Sequence, residues 1–213
     1  MVDRAVMGIK GDMNAAYSKE DKKLLLDLRS RGKGLMAISA HCGNWRSAMS
    51  SFDFLEGEKT ILFHRDAGDV DKLAHEHGNI QQTSKFIDPA GSMGGVMELL
   101  ATLRNNGIVC AMGDREFGSS KGTVEVMFLG KPIRVPVTMY RLAAFTGTPV
   151  IVVYFLYKAP GIFETIIVDH FIVPENGREA ANYRDSAERF IKTLEDFCGR
   201  YPYQYFNFYD IWG

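Results

Sequence analysis

Apolar and polar positions follow two rhythms along this chain, a helical one of three and four and a strand rhythm of two, and they succeed each other in regular order. Ser18-Lys19-Glu20-Asp21 is a capping signal, Leu24, Leu25, Leu26 and Leu28 follow, and Gly32 and Gly34 close the segment. This predicts a capped amphipathic helix over 18–31. Gly34-Leu35-Met36-Ala37-Ile38 is an apolar run opened by glycine, and Trp45, Ala48, Met49, Phe52 and Leu55 recur at helical spacing. Between them stands Ser39-Ala40-His41-Cys42-Gly43-Asn44. The pattern reads as strand, tight polar turn, helix, with His41 at the carboxyl end of the strand.

The alternation continues. Thr60–Phe63 reads as a strand running out at His64-Arg65-Asp66, residues 69–78 as a helix, and Phe86-Ile87-Asp88-Pro89 as a short strand ended by proline. Gly91-Ser92-Met93-Gly94-Gly95 opens a helix carrying Val96, Met97, Leu99, Leu100 and Leu103, and Gly107 starts a strand over 108–112 that ends at Gly113-Asp114-Arg115. After a loop from Glu116 to Gly122, Thr123–Phe128 alternates as a half-exposed strand and turns at Leu129-Gly130-Lys131-Pro132 toward Ile133 and Val135. An apolar helix over 137–147 precedes a strongly apolar, central strand, Pro149–Tyr157. Phe163–Val168 pairs with that strand, and a last helix over 179–199 leads into an aromatic tail. Strand and helix in alternation predict an α/β fold, a single domain over 1–213 with a mainly parallel central sheet flanked by helices.

At 213 residues, 46% of them hydrophobic, the chain is long enough to bury a core without disulfides or a metal. The formal net charge of −1 offers no basic balance for nucleic acid. Three scattered cysteines, Cys42, Cys110 and Cys198, make no disulfide framework and fit a reducing, cytoplasmic setting. No apolar run of roughly 18 residues is present to span a membrane, and no secretory signal follows Met1.

Polar groups stand at three strand ends: His41, then Arg65, then Asp114 with Arg115. In a parallel sheet such ends share one rim, where ligands bind. Competing chemistries are weaker. His64, His75 and His77 lack ligand spacing, so no metal is expected. Cys42 is adjacent to His41, and neighbours on an extended strand point to opposite faces, so a thiol–imidazole couple is not expected. No Gly-x-Ser-x-Gly elbow occurs. The glycines at 91–95 lack dinucleotide and Walker spacings and read as turn residues. The tail Tyr201–Tyr209 is dense in aromatics, without a basic groove, and reads as packing against the core.

His41-Cys42-Gly43-Asn44-Trp45 resembles the His-x-Gly-Asn-Trp opening of the lipid A biosynthesis acyltransferases, within the lysophospholipid acyltransferase superfamily. Gly113-Asp114-Arg115, Thr123–Gly130 and the closing Tyr205–Trp212 continue the resemblance in the same order, to a branch of predicted bacterial acyltransferases. It implies a glycerolipid or lipid A acyltransferase-like fold. The activity it implies moves a fatty acyl group from acyl carrier protein or acyl-CoA to a hydroxyl or amine of a lipid-like acceptor. No bound cofactor and no nucleic acid are implied, and the place of action is the inner face of the cytoplasmic membrane, with the protein peripheral to it. His41 would be the general base. Family members usually place an acid five positions after the histidine; Arg46 stands there and is assigned to a substrate phosphate. Asp114 resembles the family's second acidic position and becomes the candidate partner of His41. Amides near Gly43 and Asn44 would hold the oxyanion, and Arg65 and Arg115 would receive anionic head groups or carrier phosphates. Relatives often carry a membrane anchor in a longer amino-terminal part; the helical segment 1–32 is the corresponding, shorter or trimmed part here. Two alternatives stay open: a non-catalytic protein of this fold that holds lipid or acyl carrier, and a thioester hydrolase.

Overall fold

The computed structural model describes residues 15–45, 51–62, 84–89, 95–115, 122–160, 162–208 and 210–212. Of the helix expected over 45–55 only Trp45 and residues 51–55 are described, and the helix expected over 69–78, the glycine turn at 91–94, the loop over 116–121 and the histidines His64, His75 and His77 lie outside the described residues.

Helix α1 (Lys19–Ser30) starts where its cap predicts: Ser18 Oγ accepts from the Asp21 amide at 2.9 Å, satisfying one of the orphan donors of the first turn. Five parallel strands follow in the chain: β2 (Leu35–Ser39), β3 (Lys59–Leu62), β4 (Ser84–Ile87), β5 (Ile108–Met112) and, later, β8 (Pro149–Ala159). With the antiparallel β9 (Ile162–Ile172) and a two-residue β1 (Ala15–Ala16), they form one sheet in the order β1-β9-β8-β2-β5-β3-β4. The mixed α/β fold with a mainly parallel sheet is therefore observed. One detail is corrected: β8 is interior, but β2 holds the middle of the sheet. Strands β6 (Thr123–Phe128) and β7 (Lys131–Pro136) pair antiparallel as a separate hairpin.

Period-two geometry sorts the buried strands onto two faces. Met36, Ile38, Val109, Ala111, Val150 and Val152 point into one core with the hairpin and with helices α2 (Val96–Arg104), α3 (Thr138–Thr146) and α4 (Arg184–Arg200). Leu35, Ala37, Ile108, Cys110, Ile151 and Val153 point into the other, against Leu25 and Leu28 of α1 and Phe52 and Leu55. Near-continuous apolar strands are what a sheet covered on both faces requires. Each fully buried Leu, Ile or Phe adds about 1.5–3 kcal/mol to this arrangement. Among the described residues no helix is long and apolar enough to cross a membrane.

The register of β2 against β5 fixes what comes next. Ser39 lies opposite Met112, so both strands end level, and His41 and Asp114 each stand two residues beyond that pair.

Candidate active site

The turn after β2 is held by backbone hydrogen bonds on every side. The Gly113 amide donates to Ser39 O at 2.8 Å, binding the ends of β2 and β5 together. The Cys42 amide donates to Ala40 O at 2.6 Å, which turns the chain sharply at His41. Beyond it, the Gly43 amide donates to Gln204 O at 2.7 Å and the Asn44 amide to Phe155 O at 2.8 Å. The Phe206 amide returns a bond to His41 O at 2.8 Å. Gly43 has a φ of +54°, and a Cβ built on it would lie 1.8 Å from Phe155 O. Only glycine meets both conditions.

Against this frame His41 and Asp114 meet. The His41 amide donates to Asp114 Oδ2 at 3.2 Å, and the ring Nδ1 lies 2.9 Å from Oδ1 and 3.0 Å from Oδ2. The Asp114 side chain is completely buried and that of His41 is 12% exposed. A carboxylate taken from water must have its lone pairs satisfied, and His41 serves it twice. Since a carboxylate accepts, Nδ1 carries the hydrogen and the lone pair resides on Nε2. The Trp45 ring stands edge-on to the imidazole, centroids 5.2 Å apart, and limits its rotation. Gly113, beside this pair, is closely packed by the core: a Cβ there would meet Ile38 at 2.8 Å and Phe190 at 3.0 Å.

Neighbouring groups register the charge. Burial pushes the Cys42 thiol far above its ordinary value, and the Asp114 carboxylate adds to the rise. Such a thiol is inert as a nucleophile. Tyr154 is likewise raised by burial, while its hydroxyl, bonded to Thr193 Oγ1 at 2.8 Å, is partly eased back.

The other site residues predicted from sequence divide into three groups. Arg46 and Arg65 lie outside the described residues. Arg115 reaches the same rim, but its Nη2 donates to Phe206 O at 2.9 Å, so it braces the tail. The amides of Gly43 and Asn44, the region expected to hold an oxyanion, donate here to Gln204 O and Phe155 O and hold the turn. The tail is the part that sequence reasoning missed. Gln204 accepts from the Gly43 amide, and its side chain bonds both Tyr157 N–H at 2.9 Å and Tyr157 O at 3.0 Å. Cys42 bridges Tyr205 as a one-residue antiparallel pair. The only signal in the sequence was a glutamine set among aromatics that otherwise read as core.

Comparison with curated proteins found no significant match. The family model described as bacterial lipid A biosynthesis acyltransferase matches residues 6–212, which takes in the turn, the buried carboxylate and the tail together. The chain belongs to the bacterial lipid A biosynthesis acyltransferase family.

Proposed function

We propose that the protein transfers a fatty acyl group from a thioester, acyl carrier protein or acyl-CoA, to a hydroxyl or amine of a lipid-like acceptor at a membrane surface. The observation that carries this reading is the buried Asp114 carboxylate, held to both the ring and the amide of His41. That pairing presents Nε2 as the base. Nε2 takes the acceptor proton as the oxygen or nitrogen attacks the thioester carbonyl. The new carbon–oxygen or carbon–nitrogen bond forms, the carbon–sulfur bond breaks, and the imidazolium returns the proton to the departing thiolate. Asp114 holds the ring and stabilises the imidazolium between the two transfers, the role that a family acid five positions after the histidine would otherwise fill.

Release of free thiol from acyl-carrier protein and acyl-CoA, with and without a bacterial lipid extract, tests the reading. Lipid-dependent release with a new acylated lipid by mass spectrometry is expected for the wild type, and none for His41→Ala. Asp114→Asn is expected to lose at least tenfold in rate, about 1.4 kcal/mol of transition-state stabilisation. Undiminished turnover by His41→Ala would remove the base from the mechanism. Release that needs no lipid would make the protein a hydrolase.

A further inference from the structure

Strand β9 has one open side. It runs for 11 residues against β8, while on its outer side β1 pairs only with Phe163 and Glu164. Among the described residues no strand lies against the outer side of Thr165–Ile172. Such an edge presents unpaired N–H and C=O groups to any further strand. Its apolar residues add to the hazard, since Val168 is 40% and Ile172 52% exposed.

A side-chain clamp occupies this edge. The His170 amide donates to Asp169 Oδ1 at 2.8 Å, and His170 O accepts from Arg189 Nη2 at 3.3 Å. In an antiparallel strand the two backbone groups of one residue turn to the same side. Both are met here by side chains and not by β8, so His170 faces the outer edge. Arg189 arrives from α4, its Nε donating to Asp169 Oδ2 and its Nη2 to Oδ1 at 2.7 Å. The guanidinium carbon lies 4.5 Å from the centre of the Phe171 ring. A planar fork held at two oxygens and over a ring is fixed in orientation as well as in place. Beside it the register between β8 and β9 shifts at Val152/Val153, which leaves Val168 as an extra residue on β9. A bulge bends the strand and interrupts continuous pairing.

Stability alone does not account for the clamp. The Arg189 side chain is 49% exposed, and an ion pair so exposed adds little to folding. What the arrangement does is engage the backbone groups that an incoming strand would need. We infer that the Arg189–Asp169 clamp shuts the β9 edge against β9 of a second copy of this chain. That copy is the occupant the edge itself specifies. Two β9 strands related by a two-fold axis run antiparallel, offer each other the same groups, and would join two seven-stranded sheets into one. Val168 and Ile172 of both copies would lie along the joint.

Sedimentation velocity over a wide range of concentration tests the inference. The wild type is expected to stay monomeric. Arg189→Met removes the fork and keeps an apolar stem over Phe171; it is expected to dimerise at least about tenfold more tightly. Hydrogen exchange at the His170 amide should slow in that variant as its concentration rises. Adding Val168→Lys should return it to the monomer, because lysines on an edge oppose strand addition. Lys192→Met removes one positive charge from the same helix, and with it the pair to Asp196, and should remain monomeric. The thermal midpoint of dilute Arg189→Met should fall by no more than about 4 °C, which separates an opened edge from a lost fold. Should that variant unfold, Arg189→Lys, which keeps the charge without the fork, takes its place with the same expected dimer. An Arg189 variant as monomeric as the wild type would overturn the inference. So would equal association by Lys192→Met, a dimer that Val168→Lys leaves intact, or a wild-type dimer with the His170 amide already protected. An opened edge that took up an unrelated extended peptide, and never a second copy, would overturn it as well.

Discussion

Gly43 and His41 stand two residues apart in one turn and answer to different physics. His41 is the proposed base, a ring held at Nδ1 by a buried carboxylate. Gly43 is selected for absence, because the Phe155 carbonyl occupies the space a side chain would need. Gly43→Ala should therefore act on both stability and rate. The left-handed backbone alone costs roughly 1–2 kcal/mol for an alanine, and the carbonyl contact adds to it by breaking the bridge to β8. A urea midpoint shift together with loss of thiol release is the expected outcome; an alanine variant as stable as the wild type would show that the turn can relax. The Asp114 partnership was legible only through the family resemblance and the strand-end rule, since Arg46 holds the position at which spacing would look for an acid. The backbone partners of the Gly43 and Asn44 amides were not legible. Whether an amide is free depends on backbone partners far away in the chain, and no local pattern encodes them.

Elements were read more faithfully than contacts between them. Ser18 predicted where α1 begins, the apolar run over 108–112 became β5, and Gly147, at a φ of +67°, ends α3 as expected. Ser84–Ile87 begins two residues earlier than its apolar core suggested, because pairing with β3 extends a strand past its hydrophobic part. The tail is the instructive failure: Pro202–Gln204 is a single 3-10 turn, yet it closes the His41 turn from outside the sheet. Gln204→Ala deletes the two side-chain bonds to Tyr157, each worth about 0.5–1.5 kcal/mol. Hydrogen exchange should then quicken at the amides of Gly43 and Phe206 while β2 keeps its protection. Unchanged exchange at Gly43 would mean that the tail is held by its rings alone.

Across the whole molecule, burial leaves a signature in pH. Cys110 is pushed up to about 12 and Cys198 to about 11 by desolvation, from an ordinary value of 9.0. The folded protein thus keeps both thiols protonated where the unfolded chain would ionise them. Their contribution to stability is fully present below about pH 9 and is lost as pH rises through 11 and 12. The thermal midpoint should hold level on the neutral side and fall above pH 9, less steeply in Cys110→Ala. A midpoint level up to pH 12 would contradict the burial of Cys110. The doubly covered sheet behind this behaviour was legible from continuous apolar strands; the order of its strands was not, because pairing partners are chosen over long stretches of chain.

The bonds from Phe206 to His41 and from Gly43 to Gln204 join nearly opposite ends of the described chain. In chain order His41 comes first and Asp114 arrives with β5, but the clasp over their turn is made by Gln204 and Phe206, far downstream of both. Closures between such distant residues form slowly and late. The meeting of ring and carboxylate and the closing of the clasp over them are thus separable steps of folding, and a chain whose tail is not yet docked holds His41 and Asp114 without the frame around their turn.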